Sequence, residues 1–160
     1  MLTTIKEICR LPDEYTFNDH TGMRVVEVDE DRNVTLILKT EPYMLNPAHA
    51  LHGGVLFTLC DTAVGVYLKI RDRHSVTVST TINYYRAAVI GDTLRAKVSE
   101  RKKGKTLSFL NVEVTDSDGT CLAEACFTMY LARKSSSKPA CGSTVPEGRA
   151  DGSESPLKDK

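Results

Sequence analysis

The strongest constraint in this chain is a long apolar run, Val55 to Leu68, that contains one carboxylate, Asp61. A strand of that length is unusual, whereas a helix of about four turns accommodates it. Apolar residues lie nearly all round the wheel, which predicts a buried core helix rather than a surface one. The run is too short, and too interrupted by Asp61, to read as a membrane span. At 100° per residue, Thr58, Asp61, Thr62, Gly65 and Lys69 fall on one side, while Leu56, Cys60 and Val64 fall elsewhere. The helix therefore carries a narrow stripe of small and polar residues centred on Asp61. A carboxylate in a core helix is costly unless it is paired or hydrogen-bonded. Two readings follow: a structural aspartate held by Thr58, Thr62 or a neighbouring chain, or a catalytic group. The residues upstream bear on the second. An Asn46-Pro47 turn leads through His52-Gly53-Gly54 into the helix. First-turn N–H groups lack intrahelical acceptors and sit at the positive end of the macrodipole. That end can hold a polarised carbonyl oxygen, with Asp61 as base or nucleophile nearby.

The remaining elements follow in order. Thr3 or Thr4 can cap a short helix through Ile5, Ile8 and Cys9, and Asp13 to Thr21 reads as irregular. Met23–Asp29 and Val34–Lys39 are strands joined by an Asp31-Arg32-Asn33 turn. After the central helix, Ser75–Tyr85 is rich in β-branched and aromatic residues. Strict alternation there puts Val76, Val78, Thr80 and Ile82 on one face and Thr77, Ser79, Thr81 and Asn83 on the other. Thr93–Arg101, Lys105–Thr115 and Cys121–Ala132 complete the set, with Gly91-Asp92 and Asp118-Gly119 as turns. Ala123, Ala125, Phe127 and Met129 share one face of the last strand. Two strands, a long buried helix and four strands with short connections make an α+β plan: an antiparallel sheet with one helix against it. Residues 1–133 are expected to form one domain. From Lys134 to Lys160 only Val145 and Leu157 are sizeable apolar residues, so 134–160 is expected to be a disordered tail.

Composition excludes several classes. Lys plus Arg and Asp plus Glu both number 21 in the 160 residues, so there is no electrostatic case for a nucleic-acid or membrane-surface partner. No charged segment followed by an apolar one marks a secretory signal. Five scattered cysteines without CxxC spacing suggest reduced thiols in a cytoplasmic protein.

The ordered set Asn46, His52-Gly53-Gly54, Asp61 with Ala63 and Gly65, then Val76-Thr77-Val78, Asn83-Tyr84, Gly91-Asp92, Gly104 and Asp118-Gly119 resembles the hotdog-fold acyl-CoA thioesterases. The likeness is to the phenylacetyl-CoA-type branch of the 4-hydroxybenzoyl-CoA thioesterase superfamily, and it spans roughly Val25 to Leu131. It implies a sheet wrapped round the central helix, a homodimer with edge-to-edge sheets, a dimer of dimers in some cases, and active sites shared between two chains. It further implies Asn46, His52 and Gly53 from one chain and Asp61 and Thr77 from the other. In that picture the Gly53 N–H and Asn46 polarise the thioester carbonyl. Asp61 activates water or attacks directly, Thr77 orients the water or the carboxylate, and His52 supports the loop or sits near the departing thiol. Gly54 and Ser79 are further substrate-binding candidates; a two-residue shift of alignment would exchange Ser79 with Thr77. No cofactor is implied.

Other residues carry weaker signals. His49 and His52 lack further ligands for a metal, so no metal site is expected. Cys60 lies off the polar stripe and reads as a buried inert thiol. Gly104-Lys105-Thr106 echoes a phosphate loop but sits in a hairpin without the upstream glycine. Lys103, Gly104 and Lys105, with Arg101 and Lys102, make either a solvated turn or a rim for coenzyme A phosphates. The sequence thus predicts an acyl-CoA thioesterase, with a non-catalytic acyl-CoA-binding module or a hydratase as alternatives. The missing second acid beside His52 counts against the hydratase.

Overall fold

The apolar run folds as the sequence predicts. In a computed structural model that describes residues 3–9, 17–30 and 32–132, it lies within one helix of 17 residues. The order is β1 (Thr3–Thr4), α1 (Ile5–Cys9), α2 (Phe17–Thr21), β2 (Arg24–Val28), β3 (Val34–Lys39), α3 (Gly53–Lys69), β4 (Ser75–Tyr84), β5 (Thr93–Lys103), β6 (Leu107–Thr115) and β7 (Cys121–Leu131). Among the described residues the seven strands form one sheet in the order β1-β2-β3-β5-β6-β7-β4, with every neighbour antiparallel. The expected tail from Lys134 lies outside the described residues.

Alternation decides which side of the sheet meets the helix. In β5, Leu94, Ala96 and Val98 are buried, while Arg95, Lys97 and Ser99 are exposed. In β7, Ala123, Ala125, Phe127 and Met129 are buried. These side chains meet Leu56, Leu59, Cys60, Ala63 and Val64 of α3 in one core. Removing that apolar area from water is the main stabilising term. At the far end of α3, Arg73 forms a 2.7 Å ion pair with Glu100 of β5, which also accepts from the buried Ser108 hydroxyl. Burial alone would raise the Glu100 carboxyl; the hydrogen bonds from Ser108 and Arg73 and the Arg73 charge outweigh it and hold it low. This cluster fixes the C-terminal end of α3 against the sheet.

Three expectations need correction. Strict alternation fails in β4. Thr77 pairs with Met129 and Ser79 with Thr128, which leaves Val78 as an extra residue in a bulge. The bulge turns Thr77 onto the helix-facing side with Thr80, Ile82 and Tyr84, which pair with the buried Phe127, Ala125 and Ala123. Ser79 lies on the opposite face from Thr77. Second, Phe17–Thr21, expected to be irregular, is the short helix α2. It is tied to α3 by the Thr62 hydroxyl, which donates to Asn18 Oδ1 at 3.3 Å. Third, the chain starts the sheet with a two-residue strand that the sequence did not suggest. Thr4 does cap α1: its hydroxyl accepts from the Glu7 N–H at 3.2 Å, and Glu7 accepts the Thr4 N–H at 2.8 Å.

Candidate active site

The start of α3 is built by a closed loop. A bridge between Leu45 and Leu51 pins its ends, and the Asn46 N–H donates to the Ala50 carbonyl at 2.8 Å. Asn46 Oδ1 accepts from the N–H groups of Ala48 at 2.9 Å and Ala50 at 3.1 Å. With its oxygen so used, the amide keeps its NH2 group as its remaining donor. His52 is the N-cap of α3, and its Nδ1 accepts from the Gly54 N–H at 2.9 Å. That bond puts the ring proton on Nε2. It also separates the two glycines. The Gly54 amide is occupied, whereas the Gly53 amide has no partner among the described residues. A free N–H at the positive end of a 17-residue helix is a ready donor to a developing oxyanion.

Tyr84 of β4 holds this end from the side. Its hydroxyl donates to the Gly53 carbonyl at 3.1 Å, and a Cβ on Gly53 would lie 3.2 Å from the Tyr84 ring. Partial burial raises the Tyr84 phenol, which keeps it a donor. In the sequence Tyr84 stands out only as part of the Asn83-Tyr84 pair of the resemblance, because its meeting with Gly53 is tertiary.

The middle of α3 is built differently. Asp61 is half-buried, and its Oδ1 accepts from the Thr77 hydroxyl at 3.1 Å. Its partner is thus neither Thr58 nor Thr62. The β4 bulge makes this contact, since it brings Thr77 rather than Ser79 to the helix. Thr58, Asp61, Thr62, Gly65 and Lys69 do share one side of α3 and line a cleft of about 350 Å³. Ile5, Cys9, Phe17 and Phe57 form its other walls. A second cleft, about 360 Å³, adjoins it at Phe17 and Thr58 and reaches His52 and Gly54. Cys60, next to Asp61, is fully buried, and burial with the neighbouring carboxylate pushes its thiol up to about 12. It is an inert core thiol, as expected.

The two half-sites do not meet within one chain. Asp61 follows Gly53 by eight residues, which is about 12 Å along a helix axis. Lys103, Gly104 and Lys105 sit on the β5–β6 hairpin, and neither lysine lines either cleft. Gly104 is required there because a Cβ would lie 2.4 Å from the Leu107 carbonyl oxygen. The hairpin belongs to the sheet end that carries Thr77, since Ser108 and Thr77 both pair with Met129. Among the described residues, His49 and His52 belong to no group of converging ligands, whereas Glu113, Cys121 and Glu124 do converge, on the outer face of the sheet.

A mid-helix carboxylate joined to a strand hydroxyl, below a glycine amide left open at the helix start, is chemistry for acyl transfer. Comparison with known proteins agrees. Residues 48–123 match the thioesterase superfamily model. The acyl-coenzyme A thioesterase PaaI of Escherichia coli is 32% identical over 95 residues, which cover 59% of this chain and 67% of that one. A Streptococcus pneumoniae thioesterase protein solved with coenzyme A is 30% identical, with a TM-score of 0.65 over 69% of this chain and 85% of the other. A Streptococcus mutans protein bound to acetyl CoA is 28% identical, with a TM-score of 0.68 over 76% of this chain and 95% of the other. The chain belongs to the thioesterase superfamily and has its hotdog fold.

Proposed function

We propose that the chain is an acyl-CoA thioester hydrolase whose active sites are completed by a second copy of the chain. One observation carries this reading: Asp61, paired with Thr77 of β4, and the open Gly53 amide lie on one helix yet about 12 Å apart. A thioester carbonyl must touch both, so one chain supplies the donors and another the carboxylate. The sheet provides the means of joining. Its β1 edge is two residues long, but β4 presents ten residues that have no outer partner among the described residues and exposes Val76, Val78 and Tyr84. A long open edge of this kind pairs with another strand. A second pairing of dimers is compatible with this arrangement.

The chemistry then follows. The Gly53 N–H and the Asn46 NH2 hold the thioester oxygen and stabilise the charge it gains. Asp61 of the other chain takes a proton from water as that water attacks the carbonyl carbon. Alternatively it adds to that carbon itself, and water then hydrolyses the mixed anhydride. Thr77 holds the carboxylate in position. The C–S bond breaks, the thiol of coenzyme A leaves with a proton, and a free acid remains. His52 orders the loop through Nδ1 and keeps Nε2–H as a donor toward the leaving sulfur. Arg101, Lys102, Lys103 and Lys105, with Gly104 shaping their turn, receive the phosphates of coenzyme A. Ser79 has no part in this site. The described cysteines are all unpaired, which fits a reducing cytoplasm. No described helix is long and apolar enough to cross a membrane.

The test is loss of thioester absorbance over aryl-, short- and long-chain acyl-CoAs, with wild type beside Asp61→Asn. The wild type is expected to hydrolyse at least one class, and Asp61→Asn to lose that turnover while still binding. Saturable binding without turnover in the wild type would replace the enzyme with a binding module.

A further inference from the structure

We propose, resting on the hydrolase reading above, that the cleft along α3 from Asp61 to Lys69 is the acyl subsite. Gly65 keeps it open, and it suits a straight acyl chain of medium length. The cleft contains the carboxylate that meets the thioester carbonyl, so an acyl group leaving that carbonyl enters it directly. Its walls are mainly apolar, with Ile5 from α1, Phe17 from α2, and Phe57 and Val66 from α3, and the hydrogen-bonded Asn18 and Thr62 add one polar pair. Lys69 ends it, eight residues past Asp61 and so about 12 Å along the helix axis. An extended chain of roughly eight to ten carbons covers that length, whereas an aryl ring fills only the first turn.

Gly65 has no other explanation in the fold. Glycine within a helix is destabilising. It is tolerated where neighbours crowd the backbone or where φ is positive, and neither holds at Gly65. A Cβ there would meet nothing within 4 Å, and its φ lies outside the positive range. The residue is exposed and lines the cleft one turn past Asp61. The space beside it is therefore open to a molecule from outside the folded chain. The cleft's continuity with Asp61 and its apolar walls select the substrate's acyl chain over a second copy of the protein.

The experiment compares kcat/KM across acetyl-, butyryl-, octanoyl-, decanoyl-, palmitoyl- and phenylacetyl-CoA for wild type, Gly65→Ala and Gly65→Leu. Molar mass in solution and thermal melting are measured for each protein. Leucine is a better helix former than glycine, and its Cβ has room, so folding is expected to survive. The wild type is expected to favour octanoyl- and decanoyl-CoA. The ratio of decanoyl- to butyryl-CoA turnover should fall at least about tenfold in Gly65→Leu and by a smaller factor in Gly65→Ala. An unchanged ratio in both variants, or a wild type that prefers phenylacetyl-CoA and keeps that preference in Gly65→Leu, overturns the acyl assignment and leaves the hydrolase standing. Equal loss on all substrates with a changed molar mass assigns the space to a second copy and also overturns it. Should Gly65→Leu fail to fold, the Gly65→Ala ratio decides. A wild type that hydrolyses none of the six overturns the hydrolase reading and the subsite together.

Discussion

The start and the middle of α3 hold their polar groups in opposite ways. At the start, a closed loop fixes every acceptor: Asn46 Oδ1 takes two backbone amides, His52 Nδ1 takes the Gly54 amide, and Tyr84 binds the Gly53 carbonyl. What is left over is donors, the Gly53 N–H above all. In the middle, a lone carboxylate has one hydroxyl partner and faces a cleft. In the proposed reaction one end holds the electrophile and the other supplies a base or nucleophile. Neither is an active site alone, and a single helix holds them about 12 Å apart. Under the proposed reaction, complementary halves kept separate within one chain and joined between two give the chain a physical reason to act as a dimer.

This contrast can be broken from either side. The largest effect is expected for Asp61→Asn, which keeps size and removes the charge: kcat should fall about a thousandfold or more while calorimetric binding of acyl-CoA survives. Asn46→Ala should cost about a hundredfold in kcat, since it removes a donor and loosens the loop that sets Gly53. Thr77→Ala should cost about tenfold, because the carboxylate remains but loses its orienting hydroxyl. Ser79→Ala, on the other face of β4, should stay within about twofold of wild type, which is the scale of an exposed surface substitution. A larger loss in Ser79→Ala than in Thr77→Ala would contradict the register of the bulge. The smallest effect is expected for alkylation by iodoacetamide at pH 8. Among the described cysteines, the exposed Cys126 should react first and Cys60 only after denaturation, because burial pushes its thiol up to about 12. Mass spectrometry of the labelled peptides reads the order.

Much of this was legible in the sequence because it rests on periodicity. The length of the apolar run Val55–Leu68 marked the core helix, the 100° step per residue marked its polar stripe, and the two-residue period of β7 marked its buried face. The bulge at Val78 was not legible. Val76 to Thr81 is β-branched except for Ser79, so no residue type marks where the register slips. That slip decides which hydroxyl reaches Asp61. The α2 helix is too short to show a period and is held by a contact to Thr62, 44 residues away. Similarly, Tyr84 could be seen as aromatic but not as the residue that packs on Gly53, since 31 positions separate them.

The shared site is tested most directly by complementation between two inactive variants. Asp61→Asn and Asn46→Ala are each expressed alone, then co-expressed, and turnover of the preferred acyl-CoA is measured per chain. In a mixed dimer one site would carry both lesions and the other neither. Random pairing should then restore about a quarter of wild-type activity, far above either variant alone. Activity no higher than the average of the two variants would place Asn46 and Asp61 in the same site of one chain and contradict the account.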